Sequence, residues 1–279
     1  MTDAILQPIL ALLGYPIAAN PTQYMMEKAF AHHGLDCRFL TLEVAPEQLA
    51  DAIRGMRAMN FRGANCVEPH KQAVIELLDR LTDSAALAGA VNCIVHQDGQ
   101  WVGDNTEGRG MLQAIARHAE PNGKHVVVLG AGQVGRAIAA ELALAHASQL
   151  VIVNRTESKA AELAALLADK LQANVSAVAW EGEYLVPGDT DLLVNATSIA
   201  ADAELAVCLE TLRSDAVVAD VTFNPPGTRL LSEAEGRGCK TVDGLEMFIE
   251  QAAIELRAWT GVEADRTVMR EAVEEFLLL

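Results

Sequence analysis

Apolar residues in the second half of the chain fall into short runs separated by amphipathic stretches. Runs dominated by aliphatic residues occupy positions 126–129, 150–153, 191–194 and 216–219. Runs of this length predict buried strands, and the stretches between them, such as the one that begins at Glu157, predict helices. Strands that alternate with helices predict a parallel sheet with right-handed crossovers.

The first half combines the same elements with a hairpin. Asn20, Pro21 and Gln23 predict a helix N-terminus with a variant capping box, and Gly34 predicts the end of that helix. The dipeptide Asp98-Gly99 lies between two apolar runs and predicts a tight hairpin turn. Strands are predicted at 9–17, 38–42, 63–67, 93–95 and 101–102, and helices at 46–59, 69–81 and 107–118.

A polar break at residues 120–124 divides the chain. It contains proline, asparagine and glycine between a predicted helix and a predicted strand, which is typical of a domain boundary. The stretch from Gly244 to the C-terminus has a helical pattern and is rich in glutamate. We therefore expect a domain over residues 1–119, a second over 120–243, and a helical segment over 244–279 that packs back on the first.

Composition narrows the possible partners. The 279 residues include 21 Lys and Arg against 38 Asp and Glu, a net charge of −17. This balance argues against a nucleic acid or an anionic membrane as partner, and the acidic surface favours solubility. No apolar run is long enough to span a bilayer, and no signal peptide is recognised. A monomer or a homodimer is expected.

The five cysteines indicate a reducing compartment. They are odd in number, widely spaced and without a C-x-x-C arrangement, so we expect free thiols and a cytoplasmic location. The histidines and cysteines do not have the spacing of a zinc site, so no metal is expected.

A glycine pattern follows the strand at 126–129. Gly130, Gly132 and Gly135 form G-x-G-x-x-G between that strand and a helix, the context in which the pattern predicts dinucleotide binding. The glycines permit a tight turn, approach of the backbone to a pyrophosphate, and close packing of helix on strand. The domain over 120–243 is thus predicted to have a Rossmann-type fold. Its predicted contacts include Ala131, Gln133 and Val134.

The residues after the second strand of this domain favour NADP(H). NAD-binding domains place an acidic residue there, whereas this chain has Asn154, Arg155 and Thr156, followed by Lys159. Arginine and lysine suit a 2′-phosphate. The alternative is that both are ordinary solvated residues at a helix start. NADP(H) is therefore the preferred cofactor, and NAD(H) stays open.

Lys71 and Glu107 are candidates for proton chemistry. Lys71 is placed in the first turn of a predicted helix, where the dipole disfavours a cation. A lysine there suits a general base or proton relay at a hydroxyl, or it extends to water as an ordinary surface lysine. Glu107 either complements the dipole of its own helix or, paired with a lysine, orients a hydroxyl for oxidation.

Several motifs in order along the chain resemble the shikimate dehydrogenase family. Residues 14–17 are similar to its G-x-P-I, 63–71 to G-x-N-V-T-x-P-x-K, 89–93 to G-A-V-N-T and 103–108 to G-x-N-T-D-G. Residues 154–156 are similar to its NADP-selecting turn, 195–198 to its cofactor loop, and Thr228, Leu230 and Leu231 to its T-x-L-L. Gly244, Met247 and Gln251 fit its C-terminal helix.

The resemblance implies an NADP-dependent dehydrogenase of aromatic amino acid biosynthesis. Lys71 would relay the proton of a ring hydroxyl with Glu107, which stands where the family has Asp. The substrate would be shikimate or a related carbocyclic acid. The implied substrate contacts are Asn20, Thr22, Asn65, Val67, Asn92, Phe223 and Gln251, and the further implied cofactor contacts are Asn195, Ala196, Thr197 and Gly244.

The departures from the family lie at positions that hold the substrate carboxylate. Its S-x-S becomes Asn20-Pro21-Thr22, its threonine becomes Val67, and its tyrosine becomes Phe223. A site that loses hydroxyl donors changes its specificity. Two alternatives therefore stay open beside the family reaction: an NADP(H)-binding metabolite sensor with little catalysis, and a dehydrogenase for an unrelated small alcohol.

Overall fold

The computed structural model describes residues 7–17, 20–197, 205–224 and 227–278. As far as Asp104 the elements are β1 (Ile9–Gly14), α1 (Thr22–His32), β2 (Arg38–Glu43), a 3-10 turn (Pro46–Gln48), α2 (Leu49–Ala58), β3 (Gly63–Cys66), α3 (His70–Ala73), a second 3-10 turn (Val74–Leu77), β4 (Arg80–Leu81), α4 (Asp83–Ala88), β5 (Cys93–Gln97) and β6 (Gln100–Asp104).

The remaining elements follow in chain order. They are α5 (Glu107–Ala116), β7 (His125–Leu129), α6 (Gln133–Leu144), β8 (Gln149–Asn154), α7 (Glu157–Leu171), β9 (Val175–Ala179), β10 (Tyr184–Leu185), β11 (Leu192–Asn195), β12 (Val207–Cys208), β13 (Val217–Asp220), α8 (Arg229–Gly236), β14 (Lys240–Val242), α9 (Gly244–Thr260) and α10 (Arg266–Leu277). Within the described ranges, no helix is long and apolar enough to cross a membrane.

The chain forms two compact units. Unit 1 comprises residues 1–106 and 252–279, and unit 2 comprises residues 107–251. The C-terminal residues thus return to the first unit, and α10 packs on α1 as the fold prediction requires. The functional boundaries expected at 119/120 and 243/244 stay a prediction.

Unit 1 is built on a mixed six-stranded sheet in the order β2-β1-β3-β5-β6-β4. Strand β1 runs parallel to β2 and β3, whereas β5 is antiparallel to β3 and β6. The turn between β5 and β6 has positive φ at Asp98 and Gly99, the geometry that a two-residue hairpin needs. The predicted hairpin is present.

The predicted capping box of α1 is wrong. The helix begins at Thr22, whose amide donates to Asn20 Oδ1 at 2.9 Å. Gln23 does not close a box, because its Oε1 accepts from the amide of Thr41 in β2 at 3.0 Å. Glu27 accepts from the next free amide of that edge strand, at Phe39. Side chains of α1 therefore satisfy the outer edge of the sheet.

The helix predicted over 69–81 is much shorter. Helix α3 has four residues, a 3-10 turn follows, and Arg80 and Leu81 form β4 beside β6. Asp79 causes the break, because its carboxylate binds the Arg57 guanidinium and accepts from the amide of Trp101 at 2.6 Å. Partners distant in sequence outweigh the local helical periodicity.

Unit 2 has a fully parallel six-stranded sheet in the order β14-β13-β11-β7-β8-β9. This is the doubly wound order of dinucleotide-binding domains, and β7 is its first strand. The inner strands β7, β11 and β13 are buried on both faces, as their aliphatic runs predicted. A separate pair, β10 and β12, was not predicted.

Candidate functional site

The glycine turn after β7 has the packing that its sequence predicted. Gly130 has φ +102°, a backbone conformation that residues with a side chain rarely adopt. A Cβ on Gly135 would collide with the carbonyl oxygen of Gly130, so the first turn of α6 needs a glycine there. Gly132 differs, because a Cβ there would meet no atom of the described residues within 4 Å. Two glycines therefore serve the fold, and the third leaves open space.

That open space fits a dinucleotide. Gly132 lies at the N-terminus of a twelve-residue helix, which offers unpaired amides to an anion. Gln133, the first residue of α6, has a buried Oε1 without a hydrogen-bond partner among the described residues. A buried acceptor of this kind needs a donor, and a bound cofactor can supply one. Val134 follows it, half-buried.

Asn154 joins the two turns at the carboxyl ends of β7 and β8. Its Oδ1 accepts from the amide of Ala131 at 3.1 Å, and its Nδ2 donates to the carbonyl of Thr156 at 2.8 Å. The asparagine thus shapes the turn, while the side chains of Arg155 and Lys159 are exposed beside it. Two cations at this strand end suit a 2′-phosphate.

A buried carboxylate that the sequence analysis missed organises the loop after β11. Asp220 is 1% exposed and accepts from Asn195 Nδ2 and Thr228 Oγ1, both at 3.0 Å. Asn195 Oδ1 in turn accepts from the amide and the hydroxyl of Thr197. Ala196 follows Asn195 and contacts Gly130. An aspartate directly after a buried strand was the available signal. Ser198 lies outside the described residues.

The loop after β13 packs on the start of α9. A Cβ on Gly244 would collide with the carbonyl oxygen of Val221, so the close approach requires glycine. Phe223 stacks on Phe248 of α9, with ring centroids 5.4 Å apart and planes inclined by 9°. Both rings are half-buried. This part of unit 2 therefore presents aromatic surface where the family has a tyrosine hydroxyl.

Lys71 lies in unit 1, in the short helix α3, and is 9% exposed. Its carbonyl accepts from the amide of Val91 at 2.8 Å, which ties α3 to the segment before β5. Because α3 has four residues, the dipole argument made from the sequence carries little weight. The burial of the lysine is the stronger sign of a role.

Two asparagines of unit 1 lie close to that segment. Asn65, at the end of β3, donates from Nδ2 to the carbonyl of Asn92 at 3.2 Å, and its buried Oδ1 has no hydrogen-bond partner in the part of the chain that the structure describes. Asn92 binds Thr106 twice: its Oδ1 accepts from the Thr106 amide, and its Nδ2 donates to Thr106 Oγ1, both at 2.8 Å. Asn65 therefore offers an acceptor, and Asn92 is held rigidly.

Three of the residues that stand in place of the family's carboxylate site, Asn20, Thr22 and Val67, belong to unit 1. Thr22 is 5% exposed, and its amide is already occupied by Asn20. A Cβ on Gly14 would lie 2.5 Å from Val67 Cγ2 and 2.6 Å from Ile17 Cδ1. The surface here is therefore more apolar than a site with threonine at position 67.

Glu107 and Gln251 are the first and last residues of unit 2. Glu107 is 8% exposed in the first turn of α5, where its charge complements the helix dipole. The backbone of Gln251 passes close to Gly110, since a Cβ there would lie 2.9 Å from the Gln251 amide nitrogen. Lys71 and Glu107 thus belong to different compact units, and their pairing stays a prediction.

Neither metal nor thiol chemistry is indicated. Among the described residues, no group of three or more His, Cys, Asp or Glu side chains could hold a metal ion. All five cysteines are unpaired. Burial raises the pKa of the Cys66 thiol to about 12 against the opposing effect of the Lys71 charge, so this thiol stays protonated at neutral pH.

Comparison with known proteins agrees with this arrangement. Residues 12–94 match the shikimate dehydrogenase substrate binding domain, 113–206 the shikimate / quinate 5-dehydrogenase model, and 244–274 the shikimate 5'-dehydrogenase C-terminal domain. The shikimate dehydrogenase (NADP(+)) of Methanopyrus kandleri is 38% identical over 277 residues, covering 96% of each chain. The chain belongs to the shikimate dehydrogenase family. It is an NADP-dependent oxidoreductase that acts on a CH–OH group.

Two solved structures of this family type are also similar. The ligand-free 5-ketofructose reductase of Gluconobacter sp. strain CHM43 is 44% identical with a TM-score of 0.94, and the match covers 97% of this chain and 99% of that one. The shikimate 5-dehydrogenase of Listeria monocytogenes, in complex with shikimate and NAD, is 30% identical with a TM-score of 0.88, covering 98% and 99%. Of these two similar proteins, one is named for shikimate, an acid, and the other for 5-ketofructose, a neutral sugar.

Proposed function

We propose that this family member reduces the ketone of a small, neutral polyhydroxylated compound with NADPH, a substrate class represented by 5-ketofructose. The observation that carries the proposal is the loss of donors for a carboxylate. The Thr22 amide is occupied by Asn20 Oδ1, and Val67 places Cγ2 beside Gly14, 2.5 Å from where a Cβ on that glycine would lie. A neutral substrate does not need those donors. The similarity to the 5-ketofructose reductase supports the same assignment.

The reaction needs one hydride and one proton at the carbonyl group. Bound NADPH supplies the hydride. Lys71 holds the proton and delivers it to the carbonyl oxygen, which becomes the hydroxyl of the product. Glu107 orients the lysine and the reacting oxygen. In the direction of oxidation, Lys71 accepts the hydroxyl proton.

Amide groups of the chain position the substrate. Asn65 supports this role, because its buried Oδ1 lacks a partner within the described ranges and can accept from a substrate hydroxyl. The side-chain amides of Asn92 and Gln251 also contact the substrate. The rest of the substrate site is shaped by Asn20, Thr22, Val67 and Phe223. Arg155 and Lys159 bind the 2′-phosphate, and the glycine turn binds the pyrophosphate. A cytoplasmic location and a monomer or homodimer complete the proposal.

A second candidate substrate is shikimate or a related carbocyclic acid. Thr22 favours it, because a buried hydroxyl remains at the start of α1. The relatives named shikimate dehydrogenase (NADP(+)) also favour it. The two candidates differ in whether the substrate carries a negative charge.

Steady-state kinetics with purified enzyme separate the candidates. We would measure NADPH oxidation with 5-ketofructose and with 3-dehydroshikimate, and NADP+ reduction with shikimate and quinate. A kcat/KM at least ~10-fold higher for 5-ketofructose than for 3-dehydroshikimate supports the proposal, a difference of the size expected from unpaired polar groups in a site. The reverse order establishes the second candidate. Tight NADPH binding without turnover of any of the four would indicate a sensor.

The double variant Val67→Thr, Phe223→Tyr is a matched test. It restores two hydroxyls to the positions where the family carries them. We expect it to raise activity with 3-dehydroshikimate and to lower activity with 5-ketofructose. An unchanged ratio of the two activities would mean that these positions do not set specificity.

A further inference from the structure

Helix α9 carries a buried carboxylate to which the family resemblance assigns no role. Glu255 is 1% exposed and belongs to unit 1. Its Oε1 accepts from Thr106 Oγ1 at 2.7 Å and from Asn92 Nδ2 at 3.2 Å. Burial of a carboxylate is costly unless it is hydrogen-bonded. The three side chains therefore form a connected polar network inside the unit.

The chemistry of each group fixes the direction of every hydrogen bond. A backbone amide can only donate, so the Thr106 amide must face the oxygen of Asn92, at 2.8 Å. A carboxylate accepts, so Glu255 must face the nitrogen of Asn92. Thr106 Oγ1 accepts from that nitrogen and gives its own proton to Glu255. The orientation of the Asn92 amide thus follows from its partners.

This orientation determines what Asn92 can offer to a substrate. The two hydrogens of Nδ2 are directed at Thr106 Oγ1 and Glu255 Oε1. One lone pair of Oδ1 is used by the Thr106 amide, and one remains. Asn92 can therefore accept a hydrogen bond from a substrate hydroxyl but has no hydrogen left to donate.

We propose that Glu255 is a positioning residue that holds the Asn92 amide in its acceptor orientation for a substrate hydroxyl. The proposal rests on the role of Asn92 at the substrate that is part of the proposed function. It does not depend on which ketone is reduced, because every candidate substrate carries hydroxyl groups. Removing the acceptor at 255 leaves two buried donors unsatisfied and takes away one of the three hydrogen bonds that orient the Asn92 amide.

The decisive comparison is between Glu255→Gln and Glu255→Met. Glutamine keeps an acceptor oxygen at the same reach, whereas methionine keeps the volume without an oxygen. With the ketone that the wild-type enzyme reduces, we expect Glu255→Gln to keep KM within about 3-fold and Glu255→Met to raise it about 10-fold or more, with a smaller change in kcat. A wild-type KM in Glu255→Met, or equal increases in both variants, would overturn the proposal.

Trp259→Phe is a matched structural control. Trp259 lies on the same helix and donates from Nε1 to the carbonyl of Ile94 at 2.9 Å. Loss of this buried bond should lower Tm and leave KM unchanged. A KM increase in Trp259→Phe equal to that of Glu255→Met would show that lost stability alone explains the effect, which overturns the proposal.

Two further comparisons complete the test. If Glu255→Met does not fold, Thr106→Val and Thr106→Ser replace it, because only serine keeps the hydroxyl that links Asn92 to Glu255. A raised KM for valine alone supports the proposal, and equal values overturn it. Asn92→Ala separates the two levels of inference. An unchanged KM in Asn92→Ala overturns the substrate role of Asn92, whereas a raised KM beside a wild-type KM in Glu255→Met overturns only the role of Glu255.

Discussion

Asp220 and Asn195 lie at the carboxyl ends of neighbouring parallel strands and are joined by a hydrogen bond of 3.0 Å from Asn195 Nδ2 to Asp220 Oδ2. The bond leaves Asn195 Oδ1 facing the amide of Thr197. The loop after β11, which contacts Gly130 through Ala196, is therefore held by a residue of the next strand.

Replacing Asp220 with asparagine should weaken cofactor binding. Asn195 and Thr228 both donate to Oδ2, and the amide of Thr222 donates to Oδ1 at 3.0 Å. Whichever way the new amide turns, its NH2 group opposes at least one of these donors, and the loop would lose its fixed shape. We expect the Kd for NADPH to rise about 10-fold or more, measured by fluorescence titration. Asp215→Asn, at an exposed ion pair with Arg213, is the control and should bind NADPH normally.

Lys71→Ala should abolish turnover without preventing cofactor binding. Lys71, the proposed proton-transferring group, belongs to unit 1, and the glycine turn proposed to bind the cofactor belongs to unit 2, so we expect the loss of one role to leave the other intact. Loss of a general acid or base typically costs about 10² to 10⁴ in kcat. Stopped-flow NADPH binding and steady-state rates give the two readouts. Full residual activity would remove Lys71 from the mechanism.

Gly132→Ala and Gly135→Ala should fail in different ways. Alanine fits at 132 without meeting an atom, so the fold should keep its Tm while the added methyl group obstructs the approach of the pyrophosphate. At 135 the methyl group collides with the Gly130 carbonyl, so Tm and NADPH binding should both fall. Calorimetry and NADPH titration of both variants check this. Equal Tm losses would contradict the assignment of separate roles.

Arg155→Leu should change the choice of cofactor. The exposed guanidinium is the proposed partner for the 2′-phosphate, and leucine removes it without adding an acid. We expect kcat/KM for NADPH to fall about 10-fold or more while that for NADH changes little. Lys170→Leu, at the other end of α7, is the control for loss of a surface cation. If the ratio of kcat/KM for NADPH to kcat/KM for NADH is the same in Arg155→Leu as in the wild-type enzyme, Arg155 does not contact the phosphate.

The hydrogen bonds of the Asp79 carboxylate should make the stability of the folded protein fall as the pH is lowered. Hydrogen bonds from Arg57 and from the Trp101 amide hold the pKa of this carboxyl below its ordinary value of 3.8. A lowered folded-state pKa stabilises the protein above about pH 4, and that contribution is lost as the pH falls through the folded-state pKa. Asp79→Asn should therefore lower Tm at pH 7 and have less effect near pH 3. A Tm difference that is constant with pH would argue against the linkage.

The parallel sheet of unit 2, the glycine turn and the hairpin at Asp98-Gly99 could be predicted from the sequence alone, and the structure contains all three. These features depend on local chemistry: aliphatic runs mark strands buried on both faces, and glycine marks backbone conformations that other residues avoid. Short motifs in order along the chain also indicated the family by resemblance.

Helix ends and side-chain partners that depend on residues distant in sequence became visible only in the folded molecule. Asp79 ends the predicted helix after α3 through bonds to Arg57 and Trp101, and Gln23 caps a strand edge instead of its own helix. In the sequence, Glu255 is one of several glutamates in the helical stretch that begins at Gly244. Its function could be inferred only after folding brought it to Asn92 and Thr106, because a hydrogen bond is defined by where both of its ends lie.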